Sequence, residues 1–126
     1  MTISIKFKFE DEILHVTASG DYTLKSAKDT MYEMINVAQK ENVDKILVDC
    51  RPISNFDMPT MDVFDYSTTI AKNLFDQNYH PRLAYIFTTK YLDSIKQFGE
   101  NVAVNRGVTV QLFDDIGTAV SWLNED

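Results

Sequence analysis

A chain of 126 residues, 44% of them hydrophobic, has the size of one ordinary globular domain able to bury most of its apolar surface. Its 12 basic and 19 acidic residues give a net charge of -7, which argues against binding to nucleic acid, since a phosphate backbone calls for clustered Lys and Arg. A single Cys50 rules out an internal disulfide, the opening MTISIKFKFEDE lacks a signal-peptide core, and no apolar run approaches membrane-spanning length, so one cytoplasmic domain over 1–126 that is not an integral membrane protein is expected.

Ile3, Ile5, Phe7 and Phe9 alternate with Ser4, Lys6 and Lys8, and beyond Glu10-Asp11-Glu12 a second alternation sets Leu14, Val16 and Ala18 against His15 and Thr17. Two such runs predict an antiparallel hairpin. Thr23 then caps a helix with Leu24, Ala27, Met31, Met34, Ile35 and Ala38 at helical spacing, ending near Asn42. Strand 45–50 follows, with a Pro-broken loop through Asp57 and a helix from about Pro59, in which Met61, Phe64, Thr68, Ala71 and Phe75 keep the period. Asn78 to Pro81 end that helix, and Arg82–Thr88 is the next strand. Tyr91 to Asn105 reads as a helix closed by Gly107, Val108–Phe113 as a strand, and Asp114 as the cap of a last helix carrying Ile116, Ala119, Val120 and Leu123.

The order ββαβαβαβα makes this an α/β chain with a mixed five-stranded sheet, the first strand antiparallel and the others parallel, and about four helices. Strands 46–48 and 83–87 are apolar on both parities and read as central, whereas 108–113 alternates and reads as an edge. Two arrangements stay open at this point, a sheet with helices mostly on one face and a doubly wound sheet covered on both. The first leaves an apolar face bare and, with Tyr66, Phe75 and Tyr79 surplus to one small core, predicts a homodimer.

No nucleophile–base pair, metal-ligand spacing or phosphate-cradling glycine loop occurs, so no catalytic residue, metal or cofactor is expected. His15 and His80 lack the helical partner of a metal site, Cys50 reads as a small buried hydrophobe, and Asp62, Asp65 and Asp76 read as solvent-facing. Parallel crossovers nevertheless bring the loops after the strands to one rim, where α/β sheets place their sites. That rim carries Asp49, Arg51, Asn55, Asp57 and Thr60 on one loop and Thr88, Thr89 and Lys90 after the neighbouring strand. Arg51 and Lys90 next to a helix start predict a preference for an anionic or phosphorylated group.

The strand KILVDC, the loop RPISNFD before a helix, the segment ENVAVNRGVTVQLF and the terminal DDIGTAVSWL together resemble the SpoIIAA-like or STAS-like family. This is the module of anti-sigma-factor antagonists and sulphate-transporter tails, and the likeness is to its STAS/SEC14-type branch of small stand-alone bacterial proteins. The resemblance implies a non-enzymatic regulatory module with an unknown protein partner, or alternatively a carrier of a small hydrophobic molecule or lipid. In that family an Asp-Ser pair opens the helix after the third strand, and the Ser is phosphorylated by a partner kinase. Aligned without gaps, the Asp falls on Asp57 and the Ser on Met58, with Thr60 the nearest hydroxyl.

Overall fold

The computed structural model describes residues 2–54, 58–95 and 101–125. Strands β1 (Ser4–Glu10) and β2 (Ile13–Asp21) pair antiparallel. Asp11 and Glu12 between them both take left-handed backbone angles, φ 54° and 66°, as a two-residue turn that follows the strand twist requires. Helix α1 (Leu24–Lys40) starts where the Thr23 hydroxyl accepts the Ser26 N–H, and it returns the chain to β3 (Lys45–Asp49), parallel to β2. A two-residue strand, β4 (Ile53–Ser54), pairs with the far end of β2 and makes a sixth member of the sheet. Helix α2 (Thr60–Asp76), β5 (Arg82–Ile86), helices α3 (Thr89–Ile95) and α4 (Asn101–Val104), β6 (Thr109–Phe113) and helix α5 (Ile116–Leu123) complete the chain.

The main strand order is β1-β2-β3-β5-β6, with every pair after the first hairpin parallel. The mixed α/β sheet with a parallel majority is therefore as the sequence predicts, enlarged by β4, and β6 is an edge. The helix expected over 91–105 is represented by α3 and α4, which flank 96–100 outside the described residues. Gly107, at φ 85°, closes the second of them by donating to the Val104 carbonyl. The last helix is capped by Asp115 and not by Asp114: its carboxylate accepts the Thr118 N–H at 2.8 Å.

Successive strand residues face opposite ways, and both sets are buried in the middle of the sheet. One face sets Leu14, Val16, Ile46, Val48, Leu83, Tyr85 and Leu112 against Met31, Met34 and Ile35 of α1 and Ile70, Ala71 and Leu74 of α2. The other sets Ile13, Leu47, Ala84, Ile86 and Phe113 against Ala119 and Leu123 of α5. Arg82 fixes that lone helix, its guanidinium lying 4.3 Å from the centre of the Trp122 ring and donating to the Trp122 carbonyl at the helix end. The second face is thus covered from within the chain. Where α5 does not reach, Lys6, Lys8, His15 and Thr17 pair across β1 and β2 and present polar groups. The bare apolar face from which a homodimer was expected does not exist among the described residues, and that ground for self-association falls away.

Gly20 lies near the end of β2 at φ +108°, where an added Cβ would overlap the Thr2 carbonyl oxygen. Gly20→Ala is expected to destabilise the fold by about 1–3 kcal/mol, the usual cost of a side chain forced into such a conformation. A lowered urea midpoint with an unchanged far-ultraviolet dichroism spectrum is the result to look for.

Candidate functional site

The carboxyl ends of β3, β5 and β6 meet at one rim because the ladder continues past each strand: Cys50 donates to the Ile86 carbonyl at 2.8 Å and Phe87 to the Phe113 carbonyl at 2.9 Å. Asp49 closes β3 and is gripped by Arg51 two residues on. The guanidinium donates from Nε at 2.9 Å and Nη2 at 2.8 Å to separate carboxylate oxygens, and the Arg51 amide adds a third bond at 3.1 Å. Partial burial alone would raise the Asp49 pKa, but these bonds outweigh it and hold the carboxyl below its ordinary value. The pair is a neutral fork that ties the loop down.

Thr88, Thr89 and Lys90 are exposed after β5. The Thr88 carbonyl accepts the Tyr91 and Leu92 N–H groups that start α3, the Thr89 hydroxyl donates to Asp114 at 3.2 Å, and the Lys90 ammonium lies 5.4 Å from the centre of the Tyr91 ring. Asp115 also faces Arg51; its carboxyl is held below the ordinary value first by the Thr118 N–H and hydroxyl, then by the Arg51 charge. Of the two cations expected to favour an anionic group, Arg51 is paired with Asp49 and faces Asp115, while Asp114 stands beside the loop that carries Lys90. Thr60 is exposed at the first position of α2. Asn55 and Asp57 lie outside the described residues.

Helix α2 departs most from the sequence reading. Its buried residues are Val63, Ser67, Ile70, Ala71 and Leu74, whereas Met61 is 75% exposed, Phe64 38% and Phe75 78%. At 3.6 residues per turn, the two sets form neighbouring stripes about 100° apart that share only Ala71. The inner stripe carries the small Ser67 and Ala71 and the outer one carries the aromatic bulk, so side-chain size favours the wrong stripe. Near the outer stripe, Val104 of α4 is exposed, and the Arg106 guanidinium lies 5.5 Å from the centre of the Phe64 ring. Two acidic residues read as solvent-facing have partners: Asp62 accepts the hydroxyl of Tyr22, just ahead of α1, at 2.9 Å, and Asp65, still half-exposed, pairs with Lys28 of α1 at 2.6 Å. Met58, the position aligned with the phosphorylated serine, is partly buried against the core and has no hydroxyl to modify.

Of the aromatic residues that looked surplus, only Phe75 is. Tyr79 donates to the Val43 carbonyl, and the Tyr66 and Tyr85 hydroxyls are 2.7 Å apart, their rings edge to face at 6.2 Å. The Tyr pair borders a cavity of about 100 Å³ between the sheet and helices α1 and α2, lined also by Met31, Val48, Cys50 and Ile70. The Cys50 thiol is buried and its pKa is pushed far up, first by burial and then by Asp49, which makes it an inert wall of that cavity. Among the described residues no group of three or more His, Cys, Asp or Glu side chains could hold a metal, and no helix is long and apolar enough to cross a membrane.

No family model and no curated protein matches the sequence significantly. Solved structures share the fold, two of them as follows. An anti-sigma factor antagonist from Mycobacterium paratuberculosis superposes with a TM-score of 0.63 at 10% identity, covering 98% of this chain and 95% of its own. An uncharacterised protein with a SpoIIAA-like fold from Shewanella loihica PV-4 gives a TM-score of 0.53 at 15% identity over 96% and 93% of the two chains. The chain has the SpoIIAA-like fold.

Four tyrosines share one electrostatic consequence. Burial raises the phenol pKa of Tyr22, Tyr66, Tyr79 and Tyr85, with Tyr79 pushed up to about 12. The unfolded chain ionises these groups near pH 10 while the folded one keeps them neutral, so their contribution is intact below pH 10 and is lost as pH rises through the folded values. Urea midpoints are expected to fall steeply above pH 10, in step with the added tyrosinate absorbance that appears as the protein unfolds. A midpoint unchanged to pH 11.5 (about 1.5 units above the ordinary phenol value) would contradict this.

Proposed function

We propose that this protein is a non-enzymatic regulatory module that binds a protein partner through the exposed apolar stripe of α2. The observation that carries the reading is the exposure of Met61 and Phe64, 75% and 38%, at the end of α2 nearest the rim. Large apolar side chains set side by side in solvent, edged by Arg106 and polar loops, have the make-up of an interface centre and its rim. The fold shared with an anti-sigma factor antagonist points to the same class of function. Regulation through residue 58 is no part of the proposal, since a methionine cannot carry phosphate.

The lipid-carrier alternative is disfavoured by size. Small-molecule sites usually enclose about 300–1,000 Å³, and the cavity beside Tyr66 and Tyr85 is about 100 Å³. A whole lipid does not fit there. A second copy of the chain is the competing occupant of the α2 stripe.

The test compares capture from host extract by the wild type, Met61→Glu with Phe64→Ser, and Arg51→Ala with Lys90→Ala. Both double variants are expected to melt within a few degrees of the wild type, as surface changes usually do, and an acidic residue in the first turn suits the helix dipole. The α2 variant is expected to weaken capture of the specific partner by about tenfold or more. Undiminished capture would remove the stripe from consideration, and undiminished capture by the other double variant would remove the rim cations. Sedimentation of the purified wild type as a dimer that the α2 variant dissolves would assign the stripe to self-association.

A further inference from the structure

The cavity between sheet and helices has a chemical asymmetry. Its wall is apolar apart from a few hydroxyls, and most of their protons are committed: Tyr22 donates to Asp62 and Thr30 to the Ser26 and Ala27 carbonyls of its own helix. Tyr66 and Tyr85 differ. Two hydroxyls hold two protons, and their mutual 2.7 Å contact uses one. The second proton has no acceptor among the described residues, although both side chains line the cavity. A hydroxyl proton left without an acceptor on a part-buried, mostly apolar wall is available to a bound molecule, and packed cores hold few voids larger than a water molecule.

We propose that this cavity is a binding site for a compact, neutral, mostly apolar molecule bearing one hydrogen-bond acceptor, such as a carbonyl oxygen, received by the Tyr66–Tyr85 hydroxyl pair. A cavity of about 150 Å³ in an engineered apolar core accommodates benzene, so about 100 Å³ suits a molecule of roughly four or five heavy atoms. Neutrality follows from the wall. No cation among the described residues lines the cavity, and an anion would be stripped of water with only a phenol in compensation. Water is a poor occupant, because a buried water is normally held by about three polar partners and this one would find chiefly the tyrosine pair. The site is independent of the partner surface on α2, which lies on the outer stripe of that helix.

The test uses two probes of one shape, butanone and 2-methyl-1-butene, in which the carbonyl oxygen is replaced by a methylene group. Each is titrated into methyl-labelled protein while the methyl resonances of Met31, Val48 and Ile70 are followed. Saturable shifts confined to cavity methyls are expected, with the ketone binding about fivefold tighter than the alkene, the scale of one hydrogen bond. Tyr66→Phe and Tyr85→Phe each leave one donor and are expected to keep the preference, while the double Tyr66→Phe/Tyr85→Phe variant abolishes it. Absence of saturable shifts, equal affinities in the wild type, or a preference that survives in the double variant would overturn the proposal. The wild-type comparison decides the matter even where the double variant folds poorly.

Discussion

Burial of β3 and β5 on both faces is the constraint on which the rest of the structure depends. Ile46, Leu47 and Val48 on one strand and Leu83, Ala84, Tyr85 and Ile86 on the next leave neither parity free for water. Helices must then cover both sides, and parallel crossovers supply α1 and α2 to one face while α5 closes the other. The arrangement sends every loop after a parallel strand to the same rim. The single helix on the second face is anchored by Arg82, whose flat guanidinium both stacks on Trp122 and meets the carbonyl at the helix end.

The rim that results is organised chiefly for its own integrity. Asp49 and Arg51 form a neutral fork, Asp114 receives Thr89, and Asp115 caps α5 while facing Arg51. These contacts join the ends of three strands. The apolar bulk beside them lies on α2, where Met61 and Phe64 face solvent although they belong by size to a core. Such a helix carries two apolar stripes, an inner one of small and branched residues against the sheet and an outer one exposed to solvent.

Much of the architecture was legible because its signals are local. Alternation marked the hairpin, Thr23 marked the start of α1, and double-parity apolar runs marked the central strands. The phase of α2 was not legible, because two apolar stripes overlap at Ala71 and the bulkier is the exposed one. The cap of α5 was misplaced by one residue, since the first of two adjacent aspartates is used across the rim by Thr89 and only the second is left to meet the Thr118 N–H. The partners of Asp62 and Asp65 were not legible because Tyr22 and Lys28 come from a distant part of the chain. Among the candidate site residues, Asp49 and Arg51 lie at the end of β3, Thr88, Thr89 and Lys90 follow β5, and Thr60 opens α2. The pairing of Arg51 with Asp49 was not legible, because it is a matter of side-chain geometry.

The most direct measurement of the central claim, that the outer stripe of α2 meets a protein partner, is site-specific photo-crosslinking in the host cell. A photoreactive phenylalanine analogue at Phe64 reports contacts of the stripe, and the same analogue at Thr17, exposed on the open face of β2, reports background. One dominant covalent adduct from position 64 that is absent from position 17 is the predicted result. Equal adducts from both positions, or none from position 64, would contradict the account.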